Sequence, residues 1–154
     1  MTPNDTDLLT STKWMSVKDG DPRARAIYRR HYSCYRYVDG RKPALFVGPG
    51  EKMVLMTVEC AALWVWRKFI NDSGQTGVNN AVFRLEDRGR YLASELIREA
   101  CEIAWLRWPG ERLYTYVNPA RVRHKRDPGR CFLKAGWRHA GTTKGGLLVF
   151  EVTP

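Results

Sequence analysis

One stretch limits the folds open to this chain more than any other. From Tyr91 onward, Leu92, Leu96, Ile97, Ala100, Ile103 and Ala104 fall on a single helical stripe, with Glu95, Arg98, Glu99 and Glu102 opposite. Trp108-Pro109-Gly110 stops that helix. A strand-like run precedes it, Val78 to Leu85, and another follows, Arg112 to Val117. An amphipathic helix between two strands buries its stripe on a sheet. The pattern therefore predicts that those two strands are neighbours and that Leu96, Ala100 and Ile103 pack on them.

The flanking sequence extends the same sheet. Thr12 to Lys18 reads as a short first strand, with Trp14 and Val17 apolar. Asp21-Pro22 is an N-cap followed by proline at the first helical position. Ala24, Ile27, Tyr28 and His31 then repeat at one-face spacing, which puts His31 at the inward end of a short helix. Asp39-Gly40 marks a turn. Ala44 to Val47 reads as a strand, closed by Gly48-Pro49-Gly50. Lys52 to Val58 and Ala61 to Phe69 are two buried extended runs, and Asn71 to Gly77 is a hairpin-type loop. Gly129 to Ala135 forms a short helix ended by Gly136, and His139 to Gly145 with Leu147 to Val152 makes a closing hairpin. The expected class is α/β: a mixed, mostly antiparallel sheet with helices on both faces. Residues 12–154 form one domain in this reading, behind a flexible tail at 1–11.

The 154 residues, 44% of them hydrophobic, can bury a substantial core. No apolar run approaches the ~20 residues that a membrane span needs. The polar start, Met1 to Ser11, lacks the regions of a signal peptide, so a cytoplasmic protein without membrane contact is expected. Cys34, Cys60, Cys101 and Cys131 are scattered with no CxxC pair, and Cys60 and Cys101 read as reduced core residues. Lysine and arginine outnumber acids 26 to 16, for a net charge of +10. That excess suits a polyanion such as DNA, with an acidic cofactor such as coenzyme A or a plain solvated surface as the alternatives. The densest basic run is Arg121, Arg123, Lys125, Arg126 and Arg130, with His124 among them. It reads as a DNA phosphate-binding loop that positions without reading sequence.

The element order resembles the GNAT (acetyltransferase-like) fold. Cys131-Phe132-Leu133-Lys134-Ala135-Gly136-Trp137 is similar to that family's late short helix with its Gly-aromatic pair, and Tyr116-Val117-Asn118-Pro119 to the end of its fifth strand. Within it, the chain resembles the phage Mom-type DNA modification proteins. The resemblance lies in Arg30-His31-Tyr32-Ser33, Phe46-Val47-Gly48-Pro49-Gly50, Val82-Phe83-Arg84, Ser94-Glu95-Leu96-Ile97, the block from Asn118 to Trp137, and Thr143-Lys144-Gly145-Gly146-Leu147. It implies conversion of adenine in DNA to N6-carbamoylmethyladenine, an anti-restriction modification. It also implies a catalytic site of His31, Tyr32, Arg84, Ser94 and Asn118, with a bound iron on His31 and Tyr32.

Two departures from the GNAT pattern accompany this. The pyrophosphate loop, Q/R-x-x-G-x-G/A in the family, corresponds to Glu86 to Ala93 (EDRGRYLA), which has one glycine and other spacing. Arg88, Gly89 and Ser94, at the start of the long helix, are then the residues left to hold acyl-CoA. The tyrosine that often serves as general acid in the short helix appears as Phe132. Two further readings therefore stand beside DNA modification: an acyl-CoA-dependent acetyltransferase, and a non-catalytic nucleic-acid-binding protein.

Each site residue has a second reading. His31 is a base or metal ligand, or a histidine at a helix end satisfied by a backbone carbonyl. Tyr32 is a proton donor or a packed aromatic. Arg84, in an apolar run, is expensive to bury unpaired and so is a site residue or lies on an exposed face. Ser94 binds substrate or serves the first helical turn. Asn118 binds a ligand at a strand end or fixes the Pro119 turn. His124 and His139 are surface residues, and Trp64, Trp66, Trp105, Trp108 and Trp137 are mainly core.

Overall fold

A computed structural model describes residues 12–69, 74–121 and 127–154. Its strands are β1 (Trp14–Val17), β2 (Glu51–Thr57), β3 (Ala62–Lys68), β4 (Val78–Leu85), β5 (Leu113–Val117), β6 (Arg138–Thr142) and β7 (Leu148–Val152). The helices are α1 (Pro22–Arg29), α2 (Ala93–Arg107) and α3 (Arg130–Lys134). The strands form one sheet in the order β1-β2-β3-β4-β5-β7-β6. Every pairing is antiparallel except β4 with β5. That exception follows from α2, because strands joined through a crossover helix run parallel.

Both faces of the sheet centre are covered. On one face Leu96, Ile97, Ala100 and Ile103 of α2 pack against Trp14, Leu55, Trp64 and Trp66. On the other, Ala24 and Ile27 of α1 cover Val54, Met56, Leu63 and Val65. Two-sided burial is why β2 and β3 read as continuous apolar runs, with no alternation. Two indoles fix α2 in place: Trp14 Nε1 donates to the Leu96 carbonyl at 2.8 Å and Trp66 Nε1 to the Ala100 carbonyl at 3.0 Å. Each such bond is worth about 1 kcal/mol net. At the edge, β6 is largely exposed, with Arg138 and His139 facing solvent as expected of an edge strand.

Asp21 caps α1 as its sequence indicates, accepting from the Arg23 and Ala24 amides at 2.9 and 3.3 Å. Two local expectations fail. Residues 44–47 are not a strand: the Phe46 and Val47 amides bond the Asp19 carboxylate at 2.9 and 3.2 Å, so a side chain takes the place of a neighbouring strand. Cys60 is not in the core interior. It sits half-buried in the β2–β3 turn with φ of 59°, and the turn is closed by Ala61 and Ala62 amides donating to Thr57 Oγ1. All four cysteines are free, and Cys101 is buried. Among the described residues no helix is long and apolar enough to cross a membrane.

Candidate active site

The site begins with a failure of strand pairing. β4 and β5 are in register only over Val78↔Leu113, Asn79↔Tyr114 and Asn80↔Thr115. On its other edge β4 slips against β3, where Trp66 faces Asn80 and Val65 faces Val82, so Ala81 is an extra residue. A bulge of this kind bends and twists its strand. Asn80 stabilises it from inside: Nδ2 donates to the Val82 carbonyl at 2.8 Å and to the Val65 carbonyl at 3.3 Å, and Thr115 Oγ1 donates to Asn80. Beyond it the two strands part, and a cleft of about 470 Å³ opens between them. Ala81, Phe83 and Leu85 line one wall and Tyr116, Val117 and Asn118 the other, with Cys131 and Phe132 of the short helix over them.

His31 and Tyr32 bridge this opening. The His31 ring hydrogen-bonds the Phe83 backbone carbonyl on β4, and the Asn118 backbone N–H, just after β5, donates to the Tyr32 hydroxyl. The two rings stack, with centroids 4.4 Å apart. The Ser33 amide donates to His31 Nδ1 at 3.1 Å, and Ser33 Oγ lies 2.7 Å from the same nitrogen. An acceptor Nδ1 leaves the ring proton on Nε2. Burial, and then the charge of Arg84, push the His31 pKa down to about 4. It is therefore a neutral imidazole at pH 7 and a weak base. Burial raises the Tyr32 pKa, which keeps its phenol protonated. Since that oxygen already accepts from Asn118, its O–H remains to donate into the cleft.

The other expected site residues divide. Asn118 lines the cleft, and its Oδ1 also accepts from the Ala120 amide at 3.1 Å, fixing the Pro119 turn. Arg88 and Arg121 line the mouth. Arg84 is not a lining residue. Its Nε bonds Glu86 at 2.7 Å, and Glu86 also takes Arg30 at 2.6 Å, which holds the Glu86 carboxyl down at about 2. Arg84 thus meets its charge in the protein and reaches the site only through its effect on His31. Ser94 is buried in the first turn of α2, and its neighbour Ala93 faces the cleft instead. Gly89 is exposed on the 87–90 turn, where a Cβ would meet only Asp87 at 3.6 Å, so nothing there requires a glycine. Arg130 is exposed and sits 4.0 Å from Asp127. Arg123, Lys125 and Arg126 lie outside the described residues, as does His124.

Iron does not fit this donor set. Nδ1 of His31 is occupied by Ser33 and the other nitrogen by a carbonyl, and among the described residues no group of three His, Cys, Asp or Glu side chains is arranged to hold a metal ion. A different residue escaped the sequence reading. Asn79 lines the closed end of the cleft with Oδ1 buried and without a hydrogen-bond partner. Two adjacent asparagines in a strand are a visible signal, because strands are depleted in that residue.

No family model matches the chain, and no curated protein matches it in sequence. Among solved structures, it is similar to the crystal structure of the GNAT domain of S. lividans PAT. That likeness has a TM-score of 0.60 and 17% identity over 92% of this chain and 89% of that one. The fold is the GNAT fold. The likeness ends there, and the Mom-type resemblance remains one of short motifs.

Proposed function

We propose that the protein is an acyltransferase that moves an acyl group from an acyl-CoA-type thioester to an amine. The observation that carries this is the parting of β4 and β5 at the Ala81 bulge with the Tyr32 phenol inside the opening. The bound thioester would supply the activated acyl carbon. Toward the mouth, the N-cap of α2 is Leu92, which makes no side-chain cap bond, so the first N–H groups of the helix and Arg88 suit the phosphates of such a donor. This open helix end stands in for the single-glycine loop. Where β5 turns away, backbone groups of residues 81–85 face the cleft and can bind a carbonyl oxygen. Tyr32 Oη delivers its proton to the departing sulfur, the task for which Phe132 has no hydroxyl, and the resulting phenolate takes back the proton that the amine nitrogen sheds as the amide forms. His31 is a positioning residue, holding the Tyr32 ring against β4. Asn79 Oδ1 accepts an N–H from the incoming amine.

Thiol release from acetyl-CoA across a panel of amines, by a colorimetric thiol assay, tests the reading. Tyr32→Phe should lower kcat by ~10²-fold or more while acetyl-CoA binding by calorimetry persists. Absence of acetyl-CoA binding by the wild type would refute it.

A second reading, modification of the adenine amino group in DNA, is favoured by the net charge of +10 and by Arg88 and Arg121 at the mouth. Nucleoside mass spectrometry of DNA from expressing cells separates the two.

A further inference from the structure

A second pocket, of about 590 Å³, lies between α1 and residues 34–48, outside the cleft. Its volume falls within the ~300–1,000 Å³ typical of small-molecule sites. Arg25, Arg29, Arg36 and Lys42 line it, and no acidic residue does. Among the described residues none of these four makes an ion pair with an acid. Two acids lie near the pocket and both are engaged elsewhere: Asp39 sits 3.6 Å from Arg41, and Asp19, which accepts from the Phe46 and Val47 amides, sits 3.5 Å from Lys52. So many like charges around one hollow repel one another, and an anion would relieve that.

The same walls carry flat rings. Tyr35 is 67% exposed and meets Tyr37 edge-on, with centroids 4.7 Å apart. Arg41 lies over the Tyr37 ring at 4.2 Å. The pocket is held open before any ligand arrives. The Tyr35 amide donates to the Tyr28 hydroxyl at 3.0 Å, Tyr28 stacks on Phe46 at 4.9 Å, and Arg29 donates to the Lys42 carbonyl at 3.3 Å. Peptide anions and free phosphate would use the charges and leave the exposed ring unused. A nucleotide unit uses both, its base on the tyrosine and its phosphates on the arginines. Bases stacked within a duplex cannot enter such a hollow.

We infer that this pocket binds single-stranded nucleic acid, with a base stacked on Tyr35 and backbone phosphates held by Arg25, Arg29, Arg36 and Lys42. The inference is independent of acyl transfer, because none of these residues lines the cleft and the test reads binding without turnover.

The test is fluorescence anisotropy of the full chain with labelled oligo(dT) and oligo(U) of about 12 nucleotides. The wild type should bind, and whichever of the two binds tighter identifies DNA or RNA as the preferred strand. An equal mass of duplex or heparin should compete more weakly than unlabelled strand. Tyr35→Ala should weaken binding roughly tenfold, the loss of about one stacked base. Arg25→Gln/Arg36→Gln should flatten the salt dependence by about 0.7 in log-log slope per lost phosphate contact. Tyr35 and Arg36 are exposed and Arg25 is half-buried on the surface of α1, so unchanged circular dichroism is expected of each variant. The proposal is overturned if the wild type fails to bind either strand. It is equally overturned if Tyr35→Ala binds as the wild type does, or if heparin and duplex compete as well as single strand.

Discussion

His31 carries no charge at neutral pH, and this has a measurable cost. Its pKa is about 4 in the folded chain against about 6.5 when exposed. Between those values the unfolded chain takes up a proton that the folded chain refuses. Stability therefore falls as pH drops from about 6.5 to about 4, by at most ~3 kcal/mol. Thermal melts of wild type and His31→Gln across that range should diverge in slope: the variant is less stable at pH 7 but loses less on acidification. An unchanged slope would mean that the ring is not held neutral. Glu86 does not confuse the result, since a carboxylate held at about 2 loses its contribution only below the ordinary glutamate range. The sequence made the His31-Tyr32 pair visible, because a helical period puts position 31 inward and a phenol beside it is chemically suggestive. It could not reveal that Ser33 occupies Nδ1, which depends on how the chain leaves α1. Nor could it reveal Arg84 turned to Glu86, because two residues apart on a strand end, both arrangements are open.

The elements were legible wherever burial imposes a period. The stripe of α2 and the Asp21-Pro22 start of α1 follow local rules, and local rules survive in the fold. Residues 44–47 look like a strand by composition, yet their amides meet Asp19, some 27 positions earlier, and no period encodes that meeting. The bulge at Ala81 is another feature set by distant partners. Its integrity rests on Asn80, whose amide satisfies two buried carbonyls. Asn80→Ala should leave both unpaired and cost about 2–3 kcal/mol in urea denaturation. Asn80→Asp should fare no better, since its side chain is a poor donor. A loss under ~0.5 kcal/mol would show that β4 bends for some other reason.

At the scale of the whole molecule the sheet order matters most. β7 lies between β5 and β6, so the seventh of the described strands supplies an interior position. Phe150 is buried there against Phe132, and Gly129 passes so close to the Phe150 ring that a Cβ would collide with it. Both Gly129 and Phe132 line the cleft, so its roof is seated on β7. A chain ending at Gly146 should be unfolded by circular dichroism and poorly soluble, whereas removal of Thr153 and Pro154, which lie beyond β7, should be neutral. A folded shorter chain would contradict this account. The arrangement also bears on how the protein is born. While a ribosome is still releasing β7, the nascent chain presents β5 as an open, apolar edge of the kind that invites mispairing. A nascent chain that stops short of β7 is a sticky polypeptide with an unroofed cleft, and competence arrives all at once when that strand pairs with β5.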